Sequence, residues 1–411
     1  MLIPSIDLQN GQAVQLRQGK DLVLTAETPP TQLAHTFNRY GDVAVIDLDA
    51  AMGKGDNLAL VKQLCGLANV RAGGGIRTVD RGRELLRAGA TQLIVGTAAT
   101  PEFLSLFAPK HLQVALDHNA AGEVLDHGWT QSTGESLVER ANRLAPYCSS
   151  YLVTFVEGEG GLQGLSPDVV KALQAHLPHP ITVAGGVNSS QNAAQLAKLG
   201  VDVQVGMALY QGLLNPAEVM VQTLDFDKQG GLIPTVVQDA DSHQVLMLAY
   251  SSPESLAEAL VQGKGIYYSR SRQALWEKGA TSGHTQTLLK ARYDCDRDAL
   301  LFTVRQVGAT CHTGADTCWG ANSFTLSHLW QLLATRKQHP TEGSYTAKLF
   351  ANRHLLHKKV IEEAFEATQA ATTEEKVWEL ADAFFFLSVL AVADDVSLDA
   401  IIRELAGRQR G

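Results

Sequence analysis

The sequence predicts three domains in one chain: a (β/α)8 barrel, a β-rich α+β domain and an all-α helical bundle. Three observations predict this order. Short β-rich apolar runs alternate with segments of helical period over residues 1–228, β-rich runs dominate residues 229–325, and helical period takes over in residues 326–411. A chain of 411 residues has room for two or three such domains, each with its own core.

The composition argues against several functional classes. The formal net charge of −9 disfavours a general binder of nucleic acid or anionic membranes, so any phosphate binding is expected to be local. The start at Met1 shows no basic segment followed by an apolar run, and no later stretch of about 18 uninterrupted apolar residues exists. We therefore expect a cytoplasmic protein with no membrane and no nucleic acid as a partner.

The first domain has the pattern of a parallel barrel. Strands that alternate with helices over this length imply a parallel sheet, and closure into a TIM barrel is the expected form. The predicted strands include residues 43–46, 92–95, 113–116, 151–153, 181–183 and 203–205.

The first domain is also internally repeated. Three features at nearly one offset indicate two duplicated half-barrels. The repeated features are Asp7 and Asp117, 110 residues apart, Gly74-Gly75 and Gly185-Gly186, 111 apart, and Gly96 and Gly206, 110 apart.

The repeated glycines suit phosphate binding. Each glycine turn leaves backbone N–H groups free at the start of the next helix, where they hold a phosphate without net positive charge. Two such nests, around Gly75 and Gly96 and around Gly186 and Gly206, predict a substrate with a phosphate at each end. The two strand-end aspartates would lie between the nests and transfer protons. A glycine pair alone is ordinary turn chemistry and a strand-end Asp is often a helix cap, but the shared offset favours the functional interpretation.

Five motifs in this domain resemble the ProFAR isomerase family. That family carries out an Amadori rearrangement of an aminoaldose to an aminoketose on a substrate with two phosphates. The resemblance implies that Asp7 and Asp117 take the acid and base positions, with Thr154 supporting the intermediate. It also assigns Arg77 and Thr97 to the substrate-binding turns. The motifs are residues 3–8 (IPSIDL), 45–51 (VIDLDAA), 73–77 (GGGIR), 94–98 (IVGTA) and 206–210 (GMALY).

One further motif departs from the family. The family usually reads Thr-Asp-Ile-x-Arg-Asp-Gly-Thr-Leu, whereas residues 154–162 read TFVEGEGGL, which puts Glu159 in place of the second Asp. A carboxylate that is misplaced by about one methylene can lower a rate by orders of magnitude. Glu159 is a further catalytic candidate, and the sequence leaves open whether the barrel is active, weakened or purely structural.

The middle domain carries a cluster of acids and thiols. A polar segment that ends in Gly230-Gly231 precedes the domain and marks its boundary. In an extended segment, the three acids of residues 294–298 (DCDRD) would point to one side and the cysteine to the other. Carboxylates suit Mg²⁺ and thiolates suit Zn²⁺. The predicted ligands are Asp294, Asp296 and Asp298 for Mg²⁺, and Cys295, Cys311 and Cys318 for Zn²⁺.

The thiol set predicts a catalytic zinc site. Three protein ligands leave a fourth position open for water, whose pKa zinc lowers toward neutrality. His312, next to a predicted ligand, is placed to shuttle the proton. An isolated cysteine is usually core packing, which is our interpretation of Cys65 and Cys148. An Asp-rich turn is usually solvated, but hard and soft ligands alternating within five residues favour the metal site.

A second signature precedes the metal cluster. Residues 267–272 (YYSRSR), 275–279 (LWEKG) and 281–284 (TSGH) combine arginines and hydroxyls, which suit a phosphate, with aromatic rings that stack on a base. Alone, the segment is compatible with an exposed strand. Together with the metal cluster it resembles phosphoribosyl-AMP cyclohydrolase, which implies zinc-dependent opening of the adenine ring, assistance by Mg²⁺ and a homodimer with its site between subunits. The candidate substrate contacts are Tyr268, Ser269, Arg270, Arg272, Trp276 and His284.

The last domain places pairs of acids on helix faces. Two pairs at i and i+3, brought together from antiparallel helices, would hold Mg²⁺ against a polyphosphate. Such a pair alone is usually a solvated face, but the second precedes the apolar run 383–390, which suits a bundle interior. The predicted ligands are Glu363, Glu366, Glu379 and Asp382.

Residues 343–350 and 359–366 resemble the phosphoribosyl-ATP pyrophosphatase family. The resemblance implies attack of water on the α–β phosphoanhydride with release of pyrophosphate. It makes Arg336, Lys348 and Lys359 candidate phosphate contacts.

The three resemblances cover almost the entire chain and correspond to consecutive steps of histidine biosynthesis. Small phosphorylated nucleotides are the predicted substrates, and the barrel would isomerise the product of ring opening. A first alternative keeps the two carboxy-terminal activities and treats the barrel as a scaffold. A second is a metal-dependent nucleotide-binding or regulatory protein without turnover.

Overall fold

The computed structural model describes residues 1–126, 128–320 and 324–407. Contacts divide the described residues into two compact units, one up to residue 320 and one from residue 324 onward. The predicted order of barrel, β-rich region and helical region is confirmed.

The first unit begins with a sheet of twelve strands, as far as the chain is described. Eight of them are parallel neighbours that close into the predicted barrel in the order β1, β4, β5, β6, β7, β10, β11, β12, with Leu2 at the start of the first strand opposite Val203 in the last. The strands are β1 (Leu2–Gln9), β2 (Gln12–Arg17), β3 (Asp21–Thr25), β4 (Val43–Asp47), β5 (Val70–Gly73), β6 (Gln92–Val95), β7 (Leu112–His118), β8 (Glu123–Asp126), β9 (Gln131–Ser136), β10 (Ser150–Phe155), β11 (Ile181–Ala184) and β12 (Asp202–Val205).

The predicted duplication is present in the fold. An antiparallel hairpin, β2–β3, follows β1, and a second hairpin, β8–β9, follows β7. The glycine pairs follow β5 and β11, and the single glycines follow β6 and β12. The two half-barrels therefore present the same features at the carboxyl ends of equivalent strands.

Helices cover the outside of the barrel. Two of them begin with equivalent side-chain caps after the glycine pairs: the hydroxyl of Thr78 accepts from the N–H of Arg81, and that of Ser189 accepts from the N–H of Asn192. The helices are α1 (Pro30–Asn38), α2 (Leu48–Met52), α3 (Leu58–Leu67), α4 (Val79–Ala88), α5 (Pro101–Leu104), α6 (Leu137–Leu144), α7 (Pro167–Gln174), α8 (Ser190–Lys198), α9 (Met207–Tyr210) and α10 (Pro216–Thr223).

The barrel core is continuous and apolar. Strand residues are buried on both faces because helices cover the outside and side chains fill the inside. Cys65 and Cys148 are buried in the outer part of this core, which confirms their interpretation as packing residues.

The middle region is a four-stranded sheet with a small hairpin and one helix. The sheet order is β14, β13, β18, β17, and only β13 and β18 are parallel among its described pairs. The hairpin β15–β16 carries part of the second signature. The elements are β13 (Ile233–Asp239), β14 (Val245–Ser251), α11 (Pro253–Gln262), β15 (Ile266–Ser269), β16 (Ala274–Glu277), β17 (Gln286–Tyr293) and β18 (Leu300–Gln306).

The middle region packs against the barrel at the amino-terminal ends of its strands. Asp42, which precedes β4, binds Lys290 at 2.8 Å and Arg71 at 3.1 Å, and Arg71 also binds Asp202 at the start of β12. The opposite face, where the strands end, remains available for a site.

The two regions also share one apolar core. Tyr40 and Met220 of the barrel are buried in the same cluster as Val237 and Phe302 of the middle sheet. The barrel and the middle region therefore form one compact unit with shared apolar packing.

The second unit is the predicted helical bundle. A short loop, residues 370–372, joins its two longest helices, so they are antiparallel neighbours. Leu333, Leu349, Leu356, Phe386 and Val389 form its core. The helices are α12 (Leu326–Gln338), α13 (Tyr345–Ala351), α14 (Arg353–Gln369), α15 (Thr373–Ala393) and α16 (Leu398–Gly407). Across the described residues, no helix has both the length and the apolar character that membrane crossing requires.

Candidate active sites

A cavity of about 1020 Å³ opens at the carboxyl ends of the barrel strands. Its volume lies at the upper end of the range of small-molecule pockets. Its lining brings together sequence-predicted residues from both half-barrels, namely Asp7, Gly75, Arg77, Gly96, Thr97, Asp117, Thr154, Glu159, Gly186 and Gly206.

The glycine pairs lie in turns where another segment of backbone comes too close to leave room for a Cβ atom. Gly74 has a φ of +90°, and a Cβ atom there would lie 2.2 Å from the carbonyl oxygen of Asp47. Gly185, at the equivalent place, has a φ of +91°, and its Cβ would lie 2.5 Å from the carbonyl oxygen of Phe155. Both turns thus need glycine on steric grounds, independent of any phosphate.

Two carboxylates face the cavity from equivalent strands. Burial raises the pKa of Asp7 to about 6, although its hydrogen bond from the hydroxyl of Ser5, at 2.6 Å, acts in the other direction. Burial also raises the pKa of Asp117, opposed by hydrogen bonds from Thr154 and Trp129. Both groups therefore hold a proton more readily than an exposed Asp, as acid–base residues near neutral pH must.

Glu159 is a third carboxylate in the same space. Burial, followed by repulsion from Asp7 and then Asp117, raises the pKa of Glu159 to about 7. The carboxylate of Glu159 therefore lies close enough to the two aspartates for their charges to act on it. All three carboxyl groups therefore hold a proton more readily than exposed ones.

Arg77 is engaged within the protein. Its guanidinium donates to the carbonyl oxygens of Ala50 and Ala51, at 2.9 and 2.6 Å. It therefore fixes the carboxyl end of α2 at the cavity rim.

The acid segment of the middle region is a turn, so the predicted extended conformation is wrong. Asp294 accepts hydrogen bonds from the N–H groups of Asp298 and Ala299, and Arg297 has a φ of +64°. The side-chain oxygen of Asp294 thus replaces the strand partner that an extended segment would need. The turn still gathers the acids: carboxylate oxygens of Asp294, Asp296 and Asp298 all lie within 4.8 Å of one another.

Two of the three predicted zinc thiols lie together. Cys311 and Cys318 are hydrogen-bonded to each other, and the hydroxyl of Thr313, which donates to Cys311 at 3.1 Å, lowers the pKa of that thiol. Cys295 lies in the acid turn, and within the described part of one chain the three thiols do not form a group with all sulfurs within 4.8 Å. His312 lies beside the pair, with Nδ1 3.8 Å from the sulfur of Cys311.

The second signature borders the thiol pair. Lys278 is buried, its ammonium donates to the carbonyl oxygen of His284 at 3.1 Å, and the thiols of Cys311 and Cys318 act on it electrostatically. Burial lowers the pKa of Lys278 more than the thiols raise it.

The arginines of the signature rest on aromatic rings. Arg270 stacks on Tyr250 at 3.7 Å and Arg272 lies 5.9 Å from the ring of Trp276. The hydroxyl of Ser269 accepts from Arg272 at 3.3 Å, and Tyr268 precedes it on β15. These side chains line one end of the β15–β16 hairpin and carry two guanidinium groups.

The helical unit contains the second acid group. Carboxylate oxygens of Glu363, Glu366 and Glu379 lie within 4.8 Å of one another, across α14 and α15. Partial desolvation, then the charges of Glu366 and Glu363, raise the pKa of Glu379. Asp382 contributes to the same repulsion but does not belong to the tight group. A divalent cation would relieve this repulsion.

The three predicted phosphate contacts of this unit differ in their surroundings. Lys359 binds Glu363 at 2.8 Å and Glu362 at 2.9 Å. Arg336 donates to the hydroxyl of Thr346 at 3.2 Å, and Lys348 is exposed on α13.

Family models match the chain in three consecutive segments. A histidine biosynthesis protein family matches residues 1–215, phosphoribosyl-AMP cyclohydrolase matches residues 247–320 and phosphoribosyl-ATP pyrophosphohydrolase matches residues 326–409. The first of these alone covers half of the chain.

The chain belongs to the histidine biosynthesis protein family.

Curated relatives each match about half of the chain. A histidine biosynthesis bifunctional protein HisIE from Vibrio cholerae is 40% identical over 210 residues, which is 48% of this chain and 100% of the relative. A HisIE protein from Nostoc sp. is 39% identical over 211 residues, 48% of this chain and 97% of the relative. A histidine biosynthesis trifunctional protein from Neurospora crassa is 45% identical over 194 residues, which covers 47% of this chain and 22% of that protein.

In this member of the histidine biosynthesis family, two site residues escaped the sequence analysis. Trp129 hydrogen-bonds Asp117 and its ring lies 3.0 Å from the position that a Cβ on Gly19 would take, so the two barrel hairpins meet over the cavity. Lys228, before the middle region, contacts the acid turn. The sequence does contain a signal for Trp129, because a Gly-Trp turn lies in the hairpin after the strand that carries Asp117. No local sequence signal indicates Lys228.

Proposed function

We propose that this chain hydrolyses phosphoribosyl-ATP to phosphoribosyl-AMP and pyrophosphate, opens the purine ring of phosphoribosyl-AMP to give ProFAR, and isomerises ProFAR in its barrel. The observation that carries the proposal is the convergence of Glu363, Glu366 and Glu379 in the segment matched by the pyrophosphohydrolase family. We assign the three steps to domains spanning residues 326–411, 229–325 and 1–228.

The first step needs a divalent cation among the glutamates of the helical unit. An all-carboxylate donor set with mutual repulsion fits Mg²⁺, and we include Asp382 as an outer ligand. Bound Mg²⁺ would neutralise phosphate charge and polarise the anhydride. Lys359 holds Glu363 and Glu362 in place, while Arg336 and Lys348 supply positive charge for the phosphates.

The second step uses the thiols and the acid turn of the middle region. Cys311 and Cys318 are two adjacent soft donors, which fits Zn²⁺ in its preference for thiolate, and Asp294, Asp296 and Asp298 fit Mg²⁺. Zinc at this place would activate water for attack on the purine ring. His312 moves the proton, and Tyr268, Ser269, Arg270, Arg272, Trp276 and His284 bind the nucleotide.

The missing third thiolate is best supplied by a second copy of the chain. Cys295 is exposed at the surface in the acid turn, so a partner's thiol pair can approach it. We therefore propose a homodimer in which Cys295 of one subunit completes the zinc site of the other.

The helical unit offers a further surface for self-association. Ile361, Phe365, Trp378 and Phe384 are between 56% and 71% exposed and lie on α14 and α15, beside the acid group. A large apolar face next to charged residues is characteristic of a protein interface. A second copy would cover it and enclose the glutamates.

The third step rests on the carboxylates of the barrel. Asp7 and Asp117 stand at equivalent strand ends between two glycine turns, and the pKa of Asp7 near 6 suits proton transfer at neutral pH. Thr154 orients Asp117, and Glu159 acts as a third proton carrier. Gly75, Gly96, Thr97, Gly186 and Gly206 would hold the two phosphates through backbone N–H groups.

The thiol pair of the middle region also favours a reducing compartment. Cys311 and Cys318 are free thiols that interact with each other, and thiols that bind a metal have to stay reduced, so we propose that the protein works in a reducing compartment, as the cytoplasm is.

A coupled assay of the intact enzyme tests the proposal. Phosphoribosyl-ATP is supplied with Mg²⁺ and Zn²⁺, and products are identified over time. We expect pyrophosphate and the aminoketose; accumulation of ProFAR would instead favour the scaffold barrel, and absence of pyrophosphate would favour a nucleotide-binding protein without turnover. Glu379→Ala should abolish pyrophosphate release, whereas Glu374→Ala, exposed on the same helix, should not.

A further inference from the structure

A lysine before the middle region is positioned inside the acid turn. The ammonium of Lys228 contacts the carboxylates of Asp296 and Asp298, the latter at 2.6 Å. The side chain of the next residue, Gln229, donates to Asp298 at 3.0 Å. Two of the three carboxylates that the proposed magnesium site requires are thus already bound by a cation of the chain.

Backbone contacts hold this lysine in place. The N–H of Lys228 donates to the side chain of Asp225 at 3.1 Å, and the N–H of Asp225 donates to the carbonyl oxygen of Arg297, within the acid turn, at 2.8 Å. Arg297 in turn donates to the carbonyl oxygen of Lys198, at the end of α8, at 3.1 Å. The segment 225–229 is therefore fastened to the acid turn at both backbone and side-chain level, and the turn is fastened to the barrel.

The ammonium and a divalent cation compete for the same oxygens. Mg²⁺ binds carboxylate oxygens at about 2.0–2.1 Å in near-octahedral geometry, which leaves no room for a lysine on those oxygens, and the two cations repel each other. Because Lys228 is tethered, its effective concentration at the turn is high and does not depend on metal in solution.

We propose that Lys228 is a built-in counter-ion of the acid turn, which a divalent cation must displace to bind there. This inference rests on the proposed magnesium site of the cyclohydrolase step. Displacement releases the side-chain contacts of segment 225–229, so occupation of the turn by metal is transmitted to the connection between barrel and middle region. The lysine also weakens divalent binding, which makes the site respond to changes in metal concentration rather than stay saturated.

Binding of Mn²⁺ to the intact, zinc-loaded protein tests the proposal directly. Mn²⁺ affinity is measured by electron paramagnetic resonance and calorimetry, in a Glu379→Ala background that weakens the helical acid group. We expect Lys228→Met to bind Mn²⁺ about tenfold more tightly, and Lys228→Arg to stay near the parent because it keeps the tethered cation. Lys62→Met is the matched control, because Lys62 is also 43% exposed and pairs with a carboxylate, Glu84, far from the turn in sequence.

The outcomes separate the two proposals. If Asp298→Asn leaves Mn²⁺ binding unchanged, the acid turn is not the divalent site and the proposed function fails at that point. If Asp298→Asn abolishes binding while Lys228→Met binds like the parent, the site stands and the counter-ion role is wrong.

Hydrogen exchange gives a readout independent of affinity. In the parent protein, saturating Mn²⁺ should speed amide exchange of Lys228 severalfold, because loss of the Lys228 and Gln229 side-chain contacts with the turn loosens the segment in which Asp225 accepts this N–H. In Asp298→Asn the same addition should have no effect. Unchanged exchange in the parent at saturation would overturn displacement.

Discussion

Burial, and then the charge of Asp7 across the mouth of the barrel, raise the pKa of Glu159. The two residues come from different half-barrels: Asp7 lies on β1 and Glu159 follows β10. The duplicated fold thus brings a carboxylate of each half within electrostatic reach of the other, and this coupling can be tested through stability.

Glu159→Gln should change the pH dependence of unfolding. The pKa of Glu159 is about 7 in the fold against an ordinary value of 4.5, so the folded chain binds the proton more tightly than the unfolded chain. The contribution of Glu159 to the free energy of unfolding is therefore full below pH 4.5 and is lost as pH rises through about 7. We expect the variant to exceed the parent in free energy of unfolding at pH 8 by on the order of 1–3 kcal/mol and to match it near pH 4, by urea titration. The control is the exposed Glu27→Gln; a constant difference across pH would contradict the assignment.

Trp129→Phe should move the pH profile of isomerisation. The indole N–H of Trp129 donates to Asp117 and lowers its pKa, while the phenyl ring preserves contact with the opposite hairpin. Without this donor the pKa of Asp117 should rise. In a plot of kcat/KM against pH, the limb that reports Asp117 should therefore shift to higher pH. Trp330→Phe, which removes an indole donor in the other unit, serves as control. An unmoved limb would exclude the hydrogen bond from the reaction.

Cys311→Ser should separate two activities. The variant is expected to lose zinc, by metal analysis, and ring opening of phosphoribosyl-AMP together, because one thiolate of the pair is gone. Pyrophosphate release from phosphoribosyl-ATP should persist, since it depends on the other unit. Cys65→Ala, in the barrel core, should keep zinc. Full ring opening by a zinc-free Cys311→Ser protein would reject the role of the pair.

Phe365→Glu should weaken self-association. Phe365 is 64% exposed on α14, and a buried glutamate without a partner costs about 2 kcal/mol or more in an interface. Sedimentation velocity should show the dimer dissociating at higher protein concentration than in the parent. Val169→Glu, on the barrel helix α7, changes an apolar residue that is 49% exposed and should leave the dimer intact.

Gly74→Ala should cost far more stability than Gly53→Ala. Both glycines have positive φ, +90° and +68°, but a Cβ on Gly53 meets open space whereas one on Gly74 meets backbone at 2.2 Å. We expect the free energy of unfolding to fall by about 1 kcal/mol in Gly53→Ala, from backbone conformation alone, and by about 3 kcal/mol or more in Gly74→Ala. Thermal or urea unfolding measures both losses. Equal losses would mean that the turn relaxes.

The fold was predictable where the signal is local or repeated. Short apolar runs such as residues 92–95 coincide with β6, because strand burial on both faces leaves a continuous apolar pattern. The offset between Asp7 and Asp117 predicted the duplicated half-barrels, because each half carries the same local sequence pattern and forms the same local structure.

The site details that escaped prediction depend on distant partners. The turn at residues 294–298 forms because Asp294 bonds its own backbone, an alternative that residue alternation does not reveal. Lys228 meets Asp296 across 68 residues of sequence, and the hairpin of Trp129 reaches Gly19 across the barrel mouth.

The burial of Tyr40 and Met220 among side chains of the middle sheet has a consequence for dissecting the chain. Cutting between the two regions would expose apolar side chains of both to water, which lowers the stability of each fragment. A barrel without catalytic power would still stabilise this chain, because its side chains cover apolar surface of the middle sheet.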